Sequence, residues 1–204
     1  MPGSSLWLIP PASHPLHGII SELVSEQLPS RFPDLTGPTF APHMTLTSNI
    51  PPAVYGDAPQ EWLDSIPWPA ARDVQVRFED VRTEDTFFRR CYIRVVFEGV
   101  RSIAGLARAR GVNGEETIGS KSEQWLQEWR SAFGPHVSLI YGENLIDEAK
   151  LQEIVKLVKS KGVALAGSDS HAQGGLNGWE GGVLWLVPTD KPVADWKPIA
   201  TKTL

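Results

Sequence analysis

A seven-residue motif occurs twice in this chain, and both copies predict the same piece of structure. Residues 40–46 read FAPHMTL, and residues 133–139, ninety-three positions later, read FGPHVSL. Each copy places a histidine and a hydroxyl residue two positions apart within an apolar run. Because side chains alternate between the two faces of a β-strand, this spacing predicts that the histidine and the hydroxyl share one face, with the intervening apolar residue on the other. The sequence therefore predicts two strands that each carry a polar pair.

The two polar pairs suit acid–base chemistry on a phosphate. An imidazole exchanges a proton near neutral pH and a hydroxyl donates a hydrogen bond to an oxyanion, so the candidate site combines His43 and Thr45 with His136 and Ser138. Two histidines allow one to accept a proton and the other to donate one. A single triplet of this kind is common by chance, and a histidine on a strand is more often structural. The matching flanks of the two copies favour the catalytic interpretation.

The other three histidines of the chain have different surroundings. None of them is followed two positions later by a hydroxyl residue. We expect these three to be surface or loop residues, of which only the first two are near the site: His14, His17 and His171.

The composition predicts an ordinary globular protein. A chain of 204 residues is long enough for one good core or for two small lobes that share one. The net charge of -5 argues against an extended nucleic-acid surface, although a small anionic ligand is still compatible with it. Cys91 is the single cysteine, so no intramolecular disulfide forms, and no Cys/His cluster suggests zinc.

The longest apolar runs are too short for a secretory signal or a membrane span. The run at Leu6–Ile9 is followed at once by prolines, and no stretch approaches the eighteen or so apolar residues of a span. We therefore expect an intracellular, cytoplasmic protein that uses no cofactor and does not contact a membrane.

Hydrophobic periodicity predicts further strands and helices around the two motifs. The predicted strands, the second and third of them antiparallel partners, are Leu6–Ile9, Val74–Glu79, Cys91–Phe97, Val163–Ala166 and Val183–Val187. The predicted helices are Leu16–Leu28, closed by Pro29, together with Gln60–Ile66, Val100–Arg110, Ser122–Ala132 and Leu145–Lys159. The glycine-rich stretch Gly167–Gly182 is predicted to be a loop.

Both halves of the chain thus combine a motif strand with helices and further strands. This arrangement favours an α+β fold that is duplicated and two-lobed, each lobe an antiparallel sheet with flanking helices. Residues 1–204 are expected to form one domain of two intertwined lobes with one His-x-Ser/Thr motif in each, related by a pseudo-two-fold axis. The motif strands then line a central cleft.

The paired motifs resemble those of the two-histidine (2H) phosphoesterase superfamily, which carries two His-x-Ser/Thr motifs on equivalent strands. Within that superfamily, three segments are similar to those of the fungal 2',3'-cyclic-nucleotide 3'-phosphodiesterases. They are Leu6–Pro11, Pro42–Ser48 and Pro135–Tyr141. The likeness extends over nearly the whole chain, and it implies a role in RNA metabolism and tRNA splicing. It also raises Golgi association or a nuclear location as alternative compartments.

The resemblance implies a role for each residue of the site. His43 and His136 would be the catalytic pair, and the hydroxyls of Thr45 and Ser138 would hold the non-bridging phosphate oxygens. Tyr141 matches an aromatic residue that contributes to the phosphate site. Ser138 stands where the family pattern has threonine, which keeps the hydroxyl and removes a methyl group.

The reaction implied is metal-independent hydrolysis of a nucleoside 2',3'-cyclic phosphate to the 2'-phosphate. A neutral histidine activates water, and a protonated histidine gives its proton to the departing 3'-oxygen. Of the two possible assignments we favour His136 as base and His43 as acid, although the pseudo-symmetry of the motifs leaves both open. The expected partner is a small-molecule cyclic nucleotide bound by a monomer.

Three alternatives remain at this point. An RNA-end processing or 2'-5' RNA-joining enzyme of the same superfamily would need a basic track, which the acidic composition does not suggest. A non-catalytic nucleotide-binding module would tolerate the loss of a motif residue, and both motifs are intact. A metallohydrolase would need further ligands, for which His171 with Asp169 is the only indication in the sequence.

Overall fold

The structure is a computed structural model that describes residues 3–166 and 176–204. Within these residues the chain forms eight strands: β1 (Ser4–Ile9), β2 (Met44–Ile50), β3 (Gln75–Arg82), β4 (Cys91–Val95), β5 (His136–Ile140), β6 (Gly178–Glu180), β7 (Val183–Pro188) and β8 (Ala200–Thr203). They form one sheet in the order β6-β3-β4-β5-β2-β1-β7-β8. Every pair of neighbouring strands is antiparallel.

Six α-helices lie among the described residues: α1 (Pro15–Glu22), α2 (Leu28–Arg31), α3 (Pro59–Ser65), α4 (Arg101–Arg108), α5 (Ser120–Ala132) and α6 (Glu148–Ser160). The helices predicted at Val100–Arg110, Ser122–Ala132 and Leu145–Lys159 are present with shifted ends. The last of them begins three residues later than expected because Asp147 acts as its N-cap and accepts a hydrogen bond from the Lys150 N–H at 2.8 Å.

Pro29 does not end the first helix, which corrects the prediction. A π-helical turn at Leu23–Gln27 joins α1 to α2, and the Leu28 N–H bonds to the Leu23 carbonyl. The wider turn accommodates Pro29, which has no N–H, as the second residue of α2. A second π-helical turn at Ala109–Asn113 likewise extends α4 through Gly111, beyond its predicted end at Arg110.

Two predictions near the C-terminal end were wrong. Val163–Ala166 is not a strand: Val163 makes a single bridge to Leu176, directly after the left-handed Gly162 that ends the preceding helix. Part of the predicted loop is instead the edge strand β6, because Gly178 has no Cβ to collide with the Val76 carbonyl and so pairs closely with β3. Residues 167–175 of that predicted loop lie outside the described residues.

The alternation of side chains separates the two faces of the sheet, as the motif spacing predicts. Leu6 and Leu8 of β1 belong to the main core together with residues of α1, α4, α5 and α6. Trp7 and Ile9 lie on the other face in a smaller cluster with Val187. In the same way the apolar residues of both motifs enter the main core, so the polar pairs face away from it.

The α+β prediction is confirmed by the mixture of helices with one antiparallel sheet. The sheet order sets the motif strands β2 and β5 side by side at its centre, with three further strands beyond each. The duplication into two intertwined lobes within residues 1–204 stays a prediction.

Candidate active site

The two motif strands meet at one residue pair in the middle of the sheet. Met44 of β2 pairs with Val137 of β5 in antiparallel register. Continuing this register by one residue each way sets His43 opposite Ser138, and Thr45 opposite His136. Directly opposed residues in antiparallel strands have Cβ atoms about 5 Å apart. The four predicted site residues therefore form one compact group, with the two histidines on one diagonal and the two hydroxyls on the other.

Each histidine is held by the same local hydrogen bond. The Nδ1 atom of His43 lies 2.7 Å from the Ala41 carbonyl oxygen, and that of His136 lies 3.1 Å from the Gly134 oxygen. Since a carbonyl oxygen only accepts, each Nδ1 carries a hydrogen and donates it. In each motif a single proline separates the two partners. In both motifs Nε2 is therefore the nitrogen left for proton transfer.

The aromatic surroundings of the histidines are also repeated. The Phe40 ring meets the His43 ring edge-on, with centroids 5.8 Å apart and planes at 78°. Phe133 meets His136 at 5.8 Å and 75°. The geometry is the same in both motifs because a phenylalanine lies three residues before the histidine in each. The motif therefore specifies a local structure as well as a pair of functional groups.

The strands beside the motif strands add one more ring to each histidine. Trp7 of β1 stacks on His43 with centroids 3.8 Å apart and planes at 15°. Tyr92 of β4 lies against His136 at 4.9 Å and 55°. His43 is only 2% exposed, whereas His136 is partly exposed. The two imidazoles are thus differently accessible despite their similar local geometry.

Burial lowers the pKa of both histidines to about 4. For His43 the largest cause is desolvation, and the charge of His136 lowers the pKa further against the Ala41 hydrogen bond. For His136 desolvation again dominates, the positive charge of Arg89 acts in the same direction, and Glu84 opposes it. Both imidazoles are therefore neutral near neutral pH when no ligand is bound.

A pocket of about 340 Å³ opens beside the group. Thr45, His136, Ser138 and Tyr141 line it. The Ser138 hydroxyl donates to the Phe88 carbonyl oxygen at 3.3 Å, a long bond that leaves it free to turn toward a ligand. His43 does not line the pocket, but its Nε2 atom lies beside the hydroxyl of Tyr141, which does. Three of the four motif side chains thus face one pocket, and the fourth contacts a residue of its wall.

Tyr141 is enclosed by aromatic rings at the boundary between His43 and the pocket. Its ring stacks on Phe40 at 3.8 Å and 22°, and meets Phe88 edge-on at 5.2 Å. Its hydroxyl lies 3.4 Å from Nε2 of His43. Burial raises the pKa of Tyr141 above its usual range, so the phenol keeps its proton and donates it.

The backbone around Tyr141 is fixed by hydrogen bonds to three other residues. The Gly37 N–H donates to the Tyr141 carbonyl at 2.8 Å, and the Gly142 N–H donates to Phe87 at 3.1 Å. A Cβ at Gly37 would lie 2.8 Å from the Tyr141 oxygen, so this approach requires glycine. Buried Arg90 donates to the Gly142 carbonyl at 3.0 Å. These bonds hold the phenol in place.

Three residues that the sequence analysis did not select also line the pocket: Thr47, Arg89 and Arg108. Arg89 forms an ion pair with Glu84 at 2.7 Å, and its guanidinium lies 4.3 Å from the centre of the Phe133 ring. No spacing rule marks the two arginines, which come from a short turn and from a helix. Only Thr47 could have been predicted, because it lies two residues after Thr45 and strand alternation places both on one face.

His14 and His17, which were expected near the site, do not line this pocket. His14 is the N-cap of α1, accepting from the Leu16 N–H at 3.2 Å. His17 lines a separate open depression of about 650 Å³ on the other side of Trp7. Trp125 and Trp129 stack on each other at 5.0 Å, and they line the pocket as well as packing against the core.

Residues 3–166 and 176–204 contain no group of three or more His, Cys, Asp or Glu side chains arranged to hold a metal ion. Asp169 and His171, the pair considered for a metal site, lie outside the described residues. Among the helices of the described chain, none has the length and apolar character needed to cross a bilayer.

The comparison with known proteins agrees with the motif resemblance. Residues 1–204 match the family described as "Cyclic phosphodiesterase-like protein". The chain therefore belongs to the cyclic phosphodiesterase-like family, which confirms its resemblance to the two-histidine phosphoesterases.

Two of its relatives are close to it over their full lengths. A Neurospora crassa protein named 2',3'-cyclic-nucleotide 3'-phosphodiesterase is 57% identical, and the match covers 100% of both chains. A Phaeosphaeria nodorum protein of the same name is 42% identical with the same coverage. A more distant one from Yarrowia lipolytica is 27% identical over 98% of this chain and 99% of its own.

Proposed function

We propose that this chain is a phosphoric diester hydrolase that converts nucleoside 2',3'-cyclic phosphates to nucleoside 2'-phosphates without a metal. The observation that carries the proposal is the compact group of two histidines and two hydroxyls, each histidine presenting Nε2. The names of the full-length relatives support the substrate class. His43, His136, Thr45, Ser138 and Tyr141 are the residues we assign to the reaction.

In the proposed mechanism His136 is the base. It is partly exposed at the pocket, where water is available, and the Arg89 charge favours its neutral form. Nε2 of His136 takes a proton from water as the oxygen attacks phosphorus in line with the 3'-oxygen. The bond between phosphorus and the 3'-oxygen breaks, and the protonated Nε2 of His43 supplies the proton that the departing oxygen needs.

The two hydroxyls and the Tyr141 phenol complete the proposed site, and the role of the phenol is to donate a hydrogen bond to the bound phosphate. Thr45 and Ser138 donate hydrogen bonds to the non-bridging oxygens, which carry more negative charge in the transition state than in the substrate. The negative phosphate also raises the pKa of the nearby imidazoles when it binds, because an opposite charge favours the charged form. A histidine that is neutral in the unliganded protein at neutral pH can therefore become protonated when the substrate binds.

The proposed function is tested with adenosine 2',3'-cyclic phosphate in the presence of EDTA. We expect turnover that EDTA does not reduce, with adenosine 2'-phosphate as the product identified by phosphorus NMR. Formation of the 3'-phosphate would contradict the proposed bond cleavage. Activity that EDTA abolishes and zinc or magnesium restores would move the proposal to a metallohydrolase.

Tyr141→Phe tests the role of the phenol separately from its ring. The substitution keeps the stack on Phe40 and removes the hydroxyl 3.4 Å from His43. Loss of one hydrogen bond to a charged group is worth about 1.5–3 kcal/mol, so we expect kcat/KM to fall by at least about tenfold. Tyr55→Phe, which removes a phenol that bonds to Ser4 and does not line the pocket, is the control. Equal rates for Tyr141→Phe and the unsubstituted protein would exclude the assigned role.

A further inference from the structure

The pocket extends well beyond the two histidines, along β2 toward α4 and α5. All five residues from Thr45 to Asn49 line it. A regular strand with alternating side chains would not present five consecutive residues to one cavity. The register with β1 slips by one residue here, from Trp7 opposite Thr45 to Leu6 opposite Thr47. Irregularities of this kind re-aim side chains beside functional sites.

Thr47 is the first unusual residue of this extension. It is 2% exposed, and its hydroxyl oxygen has no hydrogen-bond partner among the described residues. Buried polar atoms in native proteins are nearly always hydrogen-bonded, so an unpaired hydroxyl that lines a pocket suggests a ligand or solvent partner. Two residues of strand span at most about 6.6 Å. The Thr47 hydroxyl thus lies one short step along the pocket from Thr45.

Arg108 is the second unusual residue, and it lines the same pocket. Its Nε atom is buried and has no hydrogen-bond partner in the part of the chain that the structure describes. Its guanidinium lies 5.1 Å from the centre of the Trp125 ring. It forms no ion pair with any described residue, in contrast to Arg89, which Glu84 neutralises. Arg108 is therefore a cation at the pocket wall with no direct ion pair among the described residues.

The position of the Arg108 side chain is fixed before any ligand binds. Trp125 stacks on Trp129 and carries the guanidinium on its ring, an arrangement that is favourable for arginine. Burial lowers the pKa of Arg108, and the negative charge of Glu128 opposes this lowering. A planar guanidinium held in this way presents its N–H groups in a fork that matches phosphate oxygens.

We propose that Thr47 and Arg108 form a second anion subsite that binds the phosphate on the 5' oxygen of the same ribose whose 2',3'-cyclic phosphate lies at the histidines. This inference rests on the proposed function. One ribose separates the two phosphates, which matches the short step from Thr45 to Thr47. The subsite would select substrates that carry a second phosphate over plain nucleoside cyclic phosphates.

The inference is tested by equilibrium binding of product-type ligands, so that it does not depend on turnover. The probes are adenosine 2'-phosphate and adenosine 2',5'-bisphosphate, titrated calorimetrically into the protein. One good charge-assisted contact corresponds to at least about a tenfold difference in affinity. We therefore expect the bisphosphate to bind about tenfold more tightly. Arg108→Ala removes this preference, whereas Arg101→Ala, which removes a charge from the same helix at its ion pair with Glu123, retains it.

Thr47→Val provides a variant that keeps the fold. Replacing an unpaired buried hydroxyl by a methyl group removes a desolvation cost, so we expect the thermal midpoint to rise by roughly 2–4 °C. The preference for the bisphosphate should fall in the same variant. Thr47→Val that loses stability would show that the hydroxyl has a structural partner, and it would overturn this part of the inference.

Two outcomes would overturn the subsite as a whole. The first is equal affinity of the unsubstituted protein for both ligands, and the second is a preference that survives Arg108→Ala.

A third probe identifies the source of the phosphate: adenosine 2'-phosphate joined through its 5' oxygen to a second nucleoside by a phosphodiester. If this ligand and the bisphosphate both bind tightly, the subsite serves the ends of short RNAs. If only the bisphosphate binds tightly, the subsite serves mononucleotides. Failure to hydrolyse cyclic phosphate with the bisphosphate preference intact would reject the proposed reaction and retain the subsite.

Discussion

His43→Ala and His136→Ala are each expected to lower kcat/KM for adenosine 2',3'-cyclic phosphate by about a hundred- to ten-thousand-fold. This is the range for loss of one acid or base group, and it corresponds to about 3–5 kcal/mol of transition-state stabilisation. The two groups act in one proton-transfer sequence. The double variant should therefore lose little more than the more damaging single variant.

The matched control for these variants is His17→Ala. His17 lines the separate depression and has no part in the proposed reaction, so its loss should leave the rate unchanged. His43 is buried against Trp7, and alanine there also creates a cavity. His43→Asn keeps an N–H donor for the Ala41 carbonyl but provides no nitrogen for proton transfer. Activity within tenfold of the unsubstituted protein in His43→Asn or in His136→Ala would contradict the two-histidine mechanism.

The pH dependence should separate the free enzyme from the substrate complex. The reaction needs one imidazolium, and burial lowers the pKa of both histidines to about 4 in the free protein. The kcat/KM profile reports the free enzyme. On its alkaline side the protonated fraction falls tenfold per pH unit, so kcat/KM should fall by about a hundredfold between about pH 5 and about pH 7. The kcat profile should decline at higher pH, because the bound phosphate raises the pKa of the acid.

Stopped assays over this range give both profiles from one set of substrate concentrations. A kcat/KM that stays constant between about pH 5 and about pH 7 would contradict the lowered pKa values. A kcat that declines at lower pH than kcat/KM would contradict the coupling between phosphate binding and protonation. A rate that keeps rising through about pH 9 would argue against the histidine pair altogether.

Folding must be followed in the same buffers, since the lowered pKa values also affect stability. A histidine with a lowered pKa in the folded state binds its proton more readily when unfolded. Its contribution to the free energy of unfolding is complete above the unfolded pKa of 6.5 and is lost as the pH falls toward about 4. For His43 alone the loss amounts to roughly 3 kcal/mol. Circular dichroism at each pH distinguishes this acid unfolding from titration of the site.

The motif residues were predictable because their placement depends on local rules. Strand alternation sets His43 with Thr45 and puts Met44 in the core. The antiparallel sheet and the helices followed from periodicity and from the turn residues between them. The shared local sequence is accompanied in both motifs by the same hydrogen bond, from the histidine Nδ1 to the carbonyl two residues earlier. None of these features needs information about a distant part of the chain.

The rest of the site depends on contacts between distant segments, which the periodicity of a single segment does not predict. Thr47 is placed by a register slip that exists only because β2 pairs with β1. Arg108 reaches the pocket from a helix far along the chain, and its position depends on the Trp125 ring. The edge strand β6 was missed because glycine, which usually signals a loop, here permits close approach to β3.

The order of strands also determines when the site can assemble during synthesis. β1 lies between β2 and β7, so one side of the strand that carries Trp7 has no partner until residues 183–188 have been made. Pairing between such distant segments is slow to form, and an unpaired strand edge is prone to pair with other chains. A ribosome-bound chain that stops before β7 would therefore contain both motifs, but the edge of β1 would be unpaired close to His43 and open to association with other chains. The surroundings of the histidine pair are therefore complete only after the C-terminal strands have been synthesised.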